Sequence, residues 1–324
     1  MMEFSPEQIE VLVEHKPASA MRWVEPDGKL EAFAVLDHGS KPALGHLWMA
    51  ESEDSTLAIA DVCRTARSAR IRCALLGLAN AGAGVVVVPD PGLDMDVVHA
   101  LVRRRFEEFS IRAVAGKGFV DVSALGEDVL QDVAELARIR GEVLSRCLQP
   151  LCTITDSSAL VLGCGSMGRD AATALIERGA DVRVWDEDDA RAETLGSELG
   201  AAVVTGPWPD VAADIVVPCG GSTLIDEHVA ERVEAKIVCG LAPRVCSGGA
   251  ARATLEGRGR RVVPEVLAAG ADLLALAVSM HGLDEAQTLS MVSETAAEVL
   301  SAPTGAQDRA ISLAIARSKA AAEA

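Results

Sequence analysis

ALVLGCGSMGRDAATAL, residues 159–175, reads as a short apolar strand, a glycine turn and the start of a helix. Its glycines, Gly163, Gly165 and Gly168, have the spacing G-x-G-x-x-G. A turn of this kind reverses the chain tightly and lets a ligand approach the backbone. The helix start behind it offers N–H groups and a positive dipole to a diphosphate. Gly163, Gly165, Ser166, Met167 and Gly168 are therefore candidate dinucleotide-binding residues. The next strand, DVRVWD, ends on Asp186, 23 residues beyond Gly163. An acid there can accept hydrogen bonds from both hydroxyls of an adenosine ribose. Glu187, Asp188 and Asp189 follow, so a 2′-phosphate would meet several negative charges, and NAD is expected rather than NADP. The competing reading keeps the glycines for helix–strand packing alone and the acids as a solvated helix start.

Working outward, short apolar strands alternate with helices: AAVV, DIVVP, KIVCG and RRVVP follow DVRVWD in order. Strands separated by helical stretches of ~10–15 residues imply crossovers and a parallel, Rossmann-type sheet. After Pro264 the pattern is helical: Glu265–His281, Asp284–Ser301 and Thr304–Ala322. Upstream, Gln149–Ser158 reads as a linker rich in Pro, Thr and Ser. Before it the chain mixes strands (Leu30–Asp37, Val85–Asp90) with helices (Ser55–Ala74, Met95–Phe109, Glu127–Leu148). Ser52 or Ser55 is the expected N-cap of the first of these helices. The fold class is α/β: a mixed αβ N-terminal domain over residues 1–148, a dinucleotide domain over 149–283, and C-terminal helices over 284–324 that pack back.

The length of 324 residues, 33.8 kDa, suits two domains of roughly 150 residues each. Hydrophobic residues at 49% and charged residues at 24% describe a folded globular chain. Acids outnumber bases 48 to 30, a net charge of −18 that repels a phosphate backbone, so no nucleic-acid partner is expected. No apolar run reaches the ~18–20 residues of a membrane span, and the first ten residues lack a signal-peptide pattern. The eight cysteines show no C-x-x-C pair and sit mostly in apolar segments; reduced, buried thiols in a cytoplasmic protein are expected, with no metal site. Lysine is scarce: Lys16, Lys29, Lys41, Lys117, Lys236 and Lys319 are all there are.

Several segments, taken together, resemble the leucine-dehydrogenase-like amino-acid dehydrogenases of the Glu/Leu/Phe/Val family. LDHGSKPALGHLWM (Leu36–Met49) resembles that family's Pro-Ala-Leu-Gly-Gly segment. RIRCALLGLANAGAGVVVVPDP (Arg70–Pro91) is similar, without a gap, to its lysine-bearing glycine-rich stretch. DIVVPCGGSTLIDEHVAERVEAKIVCGLAP (Asp214–Pro243) is similar to its Asp-x-x-x-Pro-Cys-Ala to Gly-x-Ala-Asn region. The resemblance spans Gly28 to Leu283 and implies an NAD-linked deaminase of amino acids, a small carboxylate-bearing substrate and a homo-oligomer built through the first domain. It adds Cys219, Gly220 and Ala242 to the cofactor-binding set.

The departures are specific. Arg72 occupies the position that the resemblance gives to the carboxylate-holding lysine, and Gly84 the position of the water-activating lysine. No lysine lies between Lys41 and Lys117, so no shift of register restores either. His46 stands for a glycine, Trp48 for an arginine, Pro243 for an asparagine, and Ala268 or Ala269 for another. Asp121 aligns with the proton-shuttling aspartate. Arg72 can grip a carboxylate bidentately but cannot serve as a base. His46 is a candidate acid–base group or a blocking histidine, and Cys73 a buried small apolar residue. The candidate catalytic set is thus Arg72, Asp121 and His46. Two functional readings follow: an oxidoreductase with changed substrate or reaction, and a catalytically inactive NAD-binding homologue or partner subunit. A lyase or cyclase that regenerates its NAD is a third. The oxidoreductase reading expects Arg72 and Asp121 near the nicotinamide; the inactive reading expects His46 and Trp48 to fill that space.

Overall fold

The computed structural model describes residues 4–24, 30–50, 54–88, 94–115, 129–130, 133–220 and 225–323. Contacts divide the chain into two compact units. The first is Met1–Asp132 with Leu276–Leu283 and Ala314–Ala324; the second is Val133–Ala275 with Asp284–Leu313.

The first unit contains α1 (Pro6–His15), β1 (Ser19–Val24), β2 (Glu31–Leu36), β3 (Ser40–Met49), α2 (Ser55–Leu75), β4 (Asn80–Val88), α3 (Met95–Phe109), β5 (Ile111–Ala115) and β6 (Val129–Leu130). Its six strands order as β1-β2-β4-β3-β5-β6. The β1–β2 and β2–β4 pairs are antiparallel, and the others run parallel. The four valines 85–88 are buried without alternation because both faces of β4 are covered. Val85 and Val87 pack with Trp23 and with Val98, Val102 and Phe106 of α3. Val86 and Val88 pack with Phe33, Val35 and with Ile59 and Val62 of α2.

Two expectations shift here. β4 begins at Asn80 rather than Val85, taking Gly82 and Gly84 into the strand. A Cβ on Gly82 would lie 2.0 Å from the Ala66 carbonyl oxygen, so these glycines let the backbone of α2 rest directly on the sheet. β3 was not legible as a strand because Pro42 interrupts it; its register against β4 slips between Ser40 and Leu44, and the Asn80 side chain donates to the Pro42 carbonyl at 2.8 Å. The N-cap of α2 is Asp54, not Ser52 or Ser55: its carboxylate accepts from the Thr56 and Leu57 N–H groups at 2.9 and 3.3 Å.

The second unit opens with α4 (Val133–Leu148), followed by β7 (Ser158–Leu162), α5 (Ser166–Glu177), β8 (Asp181–Trp185), α6 (Asp189–Leu199), β9 (Ala202–Val203) and β10 (Ile215–Pro218). Then come α7 (Glu227–Arg232), β11 (Ile237–Val238), α8 (Gly249–Gly257), β12 (Arg261–Val262), α9 (Glu265–Ala268), α10 (Ala271–His281), α11 (Glu285–Val299) and α12 (Ala306–Glu323), the last running on into the first unit, as α10 also does. The sheet is wholly parallel in the order β12-β11-β10-β7-β8-β9. The chain winds outward from β7 through β8 to β9, then returns to the other side of β7 with β10. That reversal creates a crevice at the carboxyl ends of β7 and β10, where open α/β sheets take ligands.

Helix α4 groups with this unit rather than with residues 1–148 as a whole, because Gly141 lets it approach Ala174 of α5 and its arginines bond to α5, α10 and α11. The helix expected from Glu127 is described only from Val133; Val129–Leu130 are strand, and the other residues before 133 lie outside the described set. The helix expected over Glu265–His281 breaks between Ala268 and Ala271, at Gly270, a poor helix former.

Gly82→Ala is expected to lower stability by ~1–3 kcal/mol, since its Cβ must push backbone away from backbone. Urea unfolding midpoints of the variant and the parent check this; an unchanged midpoint would show that α2 is free to retreat.

Candidate dinucleotide site

The three glycines of the turn do three different things. Gly163 takes φ +91°, a region that favours glycine, and a Cβ on it would lie 2.5 Å from the Gly220 nitrogen. Gly168 sits where a Cβ would come within 1.8 Å of the Gly163 carbonyl oxygen. Gly165 is different: its φ of −74° suits any residue, and a Cβ there would meet nothing within 4 Å. The first two are demanded by packing; the third leaves open space directly before the first turn of α5. That helix has Gly165 as its N-cap, no side-chain cap, and no acid in its first turn. Its leading N–H groups, at Ser166, Met167 and Gly168, have no partner within the helix. A diphosphate fits this arrangement, and a glycine kept for packing alone does not explain position 165.

The opposite wall comes from the strand on the other side of the reversal. The Leu162 carbonyl accepts from both the Cys219 and Gly220 N–H groups, at 2.7 and 3.0 Å. Cys219 and Ala242 are buried, and the Ala242 N–H donates to the Pro218 carbonyl at 3.3 Å. Burial pushes the Cys219 thiol up to about 12, so it stays protonated and is no nucleophile. Cys164, inside the turn, is raised to about 11, again chiefly by burial.

Asp186 stands at the end of β8, 7% exposed. One carboxylate oxygen accepts from the Cys164 N–H at 2.6 Å, the other from the Asp188 N–H at 2.9 Å. The carboxylate therefore clamps the glycine turn to β8 and still keeps acceptor capacity on each oxygen. Glu187, Asp188 and Asp189 beside it are exposed.

A buried ionic triad lies behind the turn, and it was not anticipated from the sequence. Arg140 of α4 donates from Nη1 to Asp170 of α5 at 2.9 Å and from Nε to Asp272 of α10 at 2.7 Å. All three side chains are at most 16% exposed. Burial raises the Asp170 carboxyl above its usual value, against the pull of Arg140. The available signal was Asp170 itself, an acid followed by the small apolar pair Ala171–Ala172 on the packed side of the helix; a carboxylate buried there requires a cation.

Comparisons with known proteins agree with this geometry. No protein-family model matches the chain. It is 23% identical over 297 residues to phenylalanine dehydrogenase of Caldalkalibacillus thermarum (strain TA2.A1), covering 82% of this chain and 79% of that protein. To the phenylalanine dehydrogenase of Lysinibacillus sphaericus it is 22% identical, covering 83% and 78%. The fold is that of L-tryptophan dehydrogenase from Nostoc punctiforme, with a TM-score of 0.77, 17% identity, and 98% and 99% of the two chains covered. It also matches hetero-hexameric glutamate dehydrogenase from Thermus thermophilus, Leu-bound form, with a TM-score of 0.72, 19% identity, and 98% and 92% covered. The chain is thus similar over most of its length to amino-acid dehydrogenases and shares their fold.

The described candidate residues of the first unit lie on β3, β4 and α2. Gly84 pairs across the sheet with His46. A Cβ on Gly84 would lie 2.7 Å from the Val62 carbonyl oxygen, so α2 occupies the space a side chain at 84 would take. His46 is half-buried on β3, and Trp48, two residues on, packs against the apolar cluster of Phe33, Ile59 and Val62. Arg72, on the last turn of α2, is 2% exposed, and neighbouring Cys73 is fully buried. Burial pushes the Cys73 thiol up to about 12. Asp121 lies outside the described residues. No helix among the described residues is long and apolar enough to cross a membrane.

Arg140→Met is expected to cost ~3–5 kcal/mol by stranding two buried carboxylates. The triple change Arg140→Met, Asp170→Leu, Asp272→Leu should recover most of that loss. Denaturation midpoints of the single and triple variants decide the point: a single variant as stable as the parent shows that the triad is not acting as a unit.

Proposed function

We propose that this protein is an NAD-dependent oxidoreductase of the amino-acid dehydrogenase type, acting on a small carboxylate-bearing substrate but not by ordinary oxidative deamination. The observation that carries the cofactor reading is the open space at Gly165, framed by a turn that packing closes everywhere else. The leading amides of α5, at Ser166, Met167 and Gly168, would hold the diphosphate. Asp186, already aligned by the Cys164 and Asp188 N–H groups, would accept from the adenosine ribose. Gly163 and Gly220 would line the crevice, with Cys219 and Ala242 behind them. When bound, NAD supplies a hydride acceptor at its nicotinamide, and this needs only a well-placed carbon, not a lysine. The acids at 187–189 support NAD over NADP. In the first unit Arg72 and Asp121 remain the proposed carboxylate-binding and proton-moving groups, with His46 as a further acid–base candidate. A homo-oligomer in the cytoplasm completes the reading.

The second reading, a catalytically inactive NAD-binding homologue or partner subunit, is favoured by one feature. The position assigned to the water-activating lysine is a glycine pressed against helix backbone. The Thermus thermophilus relative is itself hetero-hexameric.

Calorimetric titration should find NADH bound at least ~10-fold more tightly than NADPH, a gap of about 1.4 kcal/mol. Equal affinities, or no binding of either, would remove the cofactor reading. Gly165→Val separates ligand from fold: it should abolish NADH binding while lowering stability by no more than ~1–2 kcal/mol, the cost of a poorer helix N-cap. With leucine, valine or phenylalanine and NAD at alkaline pH, turnover should fall ~10²- to 10⁴-fold below that of ordinary amino-acid dehydrogenases, the usual loss without a positioned base. Comparable turnover would mean that deamination here does not depend on the lysine positions.

A further inference from the structure

Among the described residues of the second unit, every arginine and lysine but one donates to a carboxylate, a side-chain oxygen or a backbone carbonyl. Even exposed ones are engaged: Arg191 with Asp188, Arg232 with Asp210, and Lys236 with Asp214. Arg258 and Arg260 share Glu234, while Arg183 donates to the Ala212 carbonyl. The exception is Arg244, which is exposed and has no side-chain partner among the described residues. In a chain of net charge −18, an unpaired guanidinium is not for want of acids. The loop itself offers it none: no Asp or Glu occurs between Glu234 and Glu256 in the sequence.

Its place in the fold gives that vacancy a use. Arg244 lies in the loop after β11, at the same carboxyl edge of the sheet as the glycine turn. The loop is fastened to the wall of the crevice. The Ala242 N–H donates to the Pro218 carbonyl, the Leu241 N–H approaches the Cys219 thiol, and Gly240 lies so close to Pro218 that a Cβ would be 2.7 Å from its carbonyl oxygen. On the far side, Cys246 bridges to Ile225 and the Ser247 N–H donates to the Ile225 carbonyl at 2.9 Å. Arg244 is therefore held between two anchored points, and Pro243 before it stiffens the approach. A dinucleotide spanning the reversal puts its adenosine over β8, beside Asp186, and its other half over β10 and β11. The loop that carries Arg244 follows β11, on that second half.

We infer that Arg244 is a substrate-binding residue, gripping the carboxylate of a 2-oxo or 2-amino acid presented to the nicotinamide end of the crevice. This rests on the NAD reading above. A guanidinium binds a planar carboxylate with two parallel hydrogen bonds, and an anion is the ligand that an unpaired arginine on an acid-free loop selects. Arg244 adds to Arg72, the carboxylate-binding candidate of the first unit: Arg72 is enclosed, at 2% exposure, whereas Arg244 is exposed.

The test uses the full chain. NADH is titrated first by its fluorescence. At saturating NADH, 4-methyl-2-oxopentanoate, phenylpyruvate and indole-3-pyruvate are then titrated by calorimetry. The parent is compared with Arg244→Gln, Arg244→Lys and, as a control for overall charge, Arg232→Gln. The expected result is unchanged NADH affinity throughout and at least one oxo acid bound by the parent. Arg244→Gln should weaken that acid ~10-fold or more, the scale of a charged hydrogen-bonded contact, with Arg244→Lys between the two and Arg232→Gln like the parent. Three results overturn the inference while leaving the NAD reading standing: equal oxo-acid affinity in Arg244→Gln, no oxo-acid binding by the NADH-loaded parent, or an equal loss in Arg232→Gln. A loss of NADH affinity in Arg244→Gln would instead assign the arginine to a cofactor phosphate and also overturns it. Failure of the parent to bind NADH removes the cofactor reading itself, and this inference with it.

Discussion

Helix α5 can begin where it does only because Gly168 carries no side chain; a Cβ there would stand 1.8 Å from the Gly163 carbonyl oxygen. That single close approach sets the turn, and the turn sets what surrounds it. Gly163 must take a positive φ to leave the strand and pass beneath Gly220. Cys164 then presents its N–H to Asp186, so the turn and β8 hold each other. What remains open is the space before Gly165, with helix amides on one side and an acceptor-rich carboxylate on the other. The site is thus a by-product of packing, since the same missing methyl groups that let strand and helix close together leave backbone N–H groups facing outward.

Behind this turn, Arg140 joins α4, α5 and α10 through two buried carboxylates. Such a network is a weak source of net stability, because desolvation offsets most of the Coulombic attraction. Its geometric consequence is larger. Once Asp170 is buried, α5 can seat only where Arg140 meets it, and α4 is drawn into the second unit although it precedes the linker-like segment Gln149–Ser158 in sequence. The first unit obeys a related rule by different means. Gly82 and Gly84 bring α2 against β4 at backbone distance, and the cost is any side chain at position 84. Packing and chemistry compete directly for that position, and packing holds it.

Much of this was legible in the residues. The helix at 55–75 and that at 95–109 follow from apolar spacing, and the parallel sheet follows from strands that recur between helices. The glycine turn and Asp186 were identifiable by spacing because their geometry is local: strand, turn, helix and strand lie within a few dozen residues. Other features were hidden for one physical reason. The strand at 40–49 contains a proline, and the strand at 80–84 contains glycines, so neither has the composition of a strand; each is held in place by its sheet neighbours.

By itself, then, the sequence determined the alternation of elements, the place and stereochemistry of the glycine turn, and the likeness to amino-acid dehydrogenases. Periodicity, turn chemistry and short-range spacing are properties of neighbouring residues. Only the tertiary structure decided which cation satisfies Asp170, that α2 fills the space beside Gly84, that Arg72 is enclosed, and that Arg244 alone among the basic residues described in its unit is left without a partner. Those outcomes depend on which distant segment arrives at each side chain, and no local pattern carries that information.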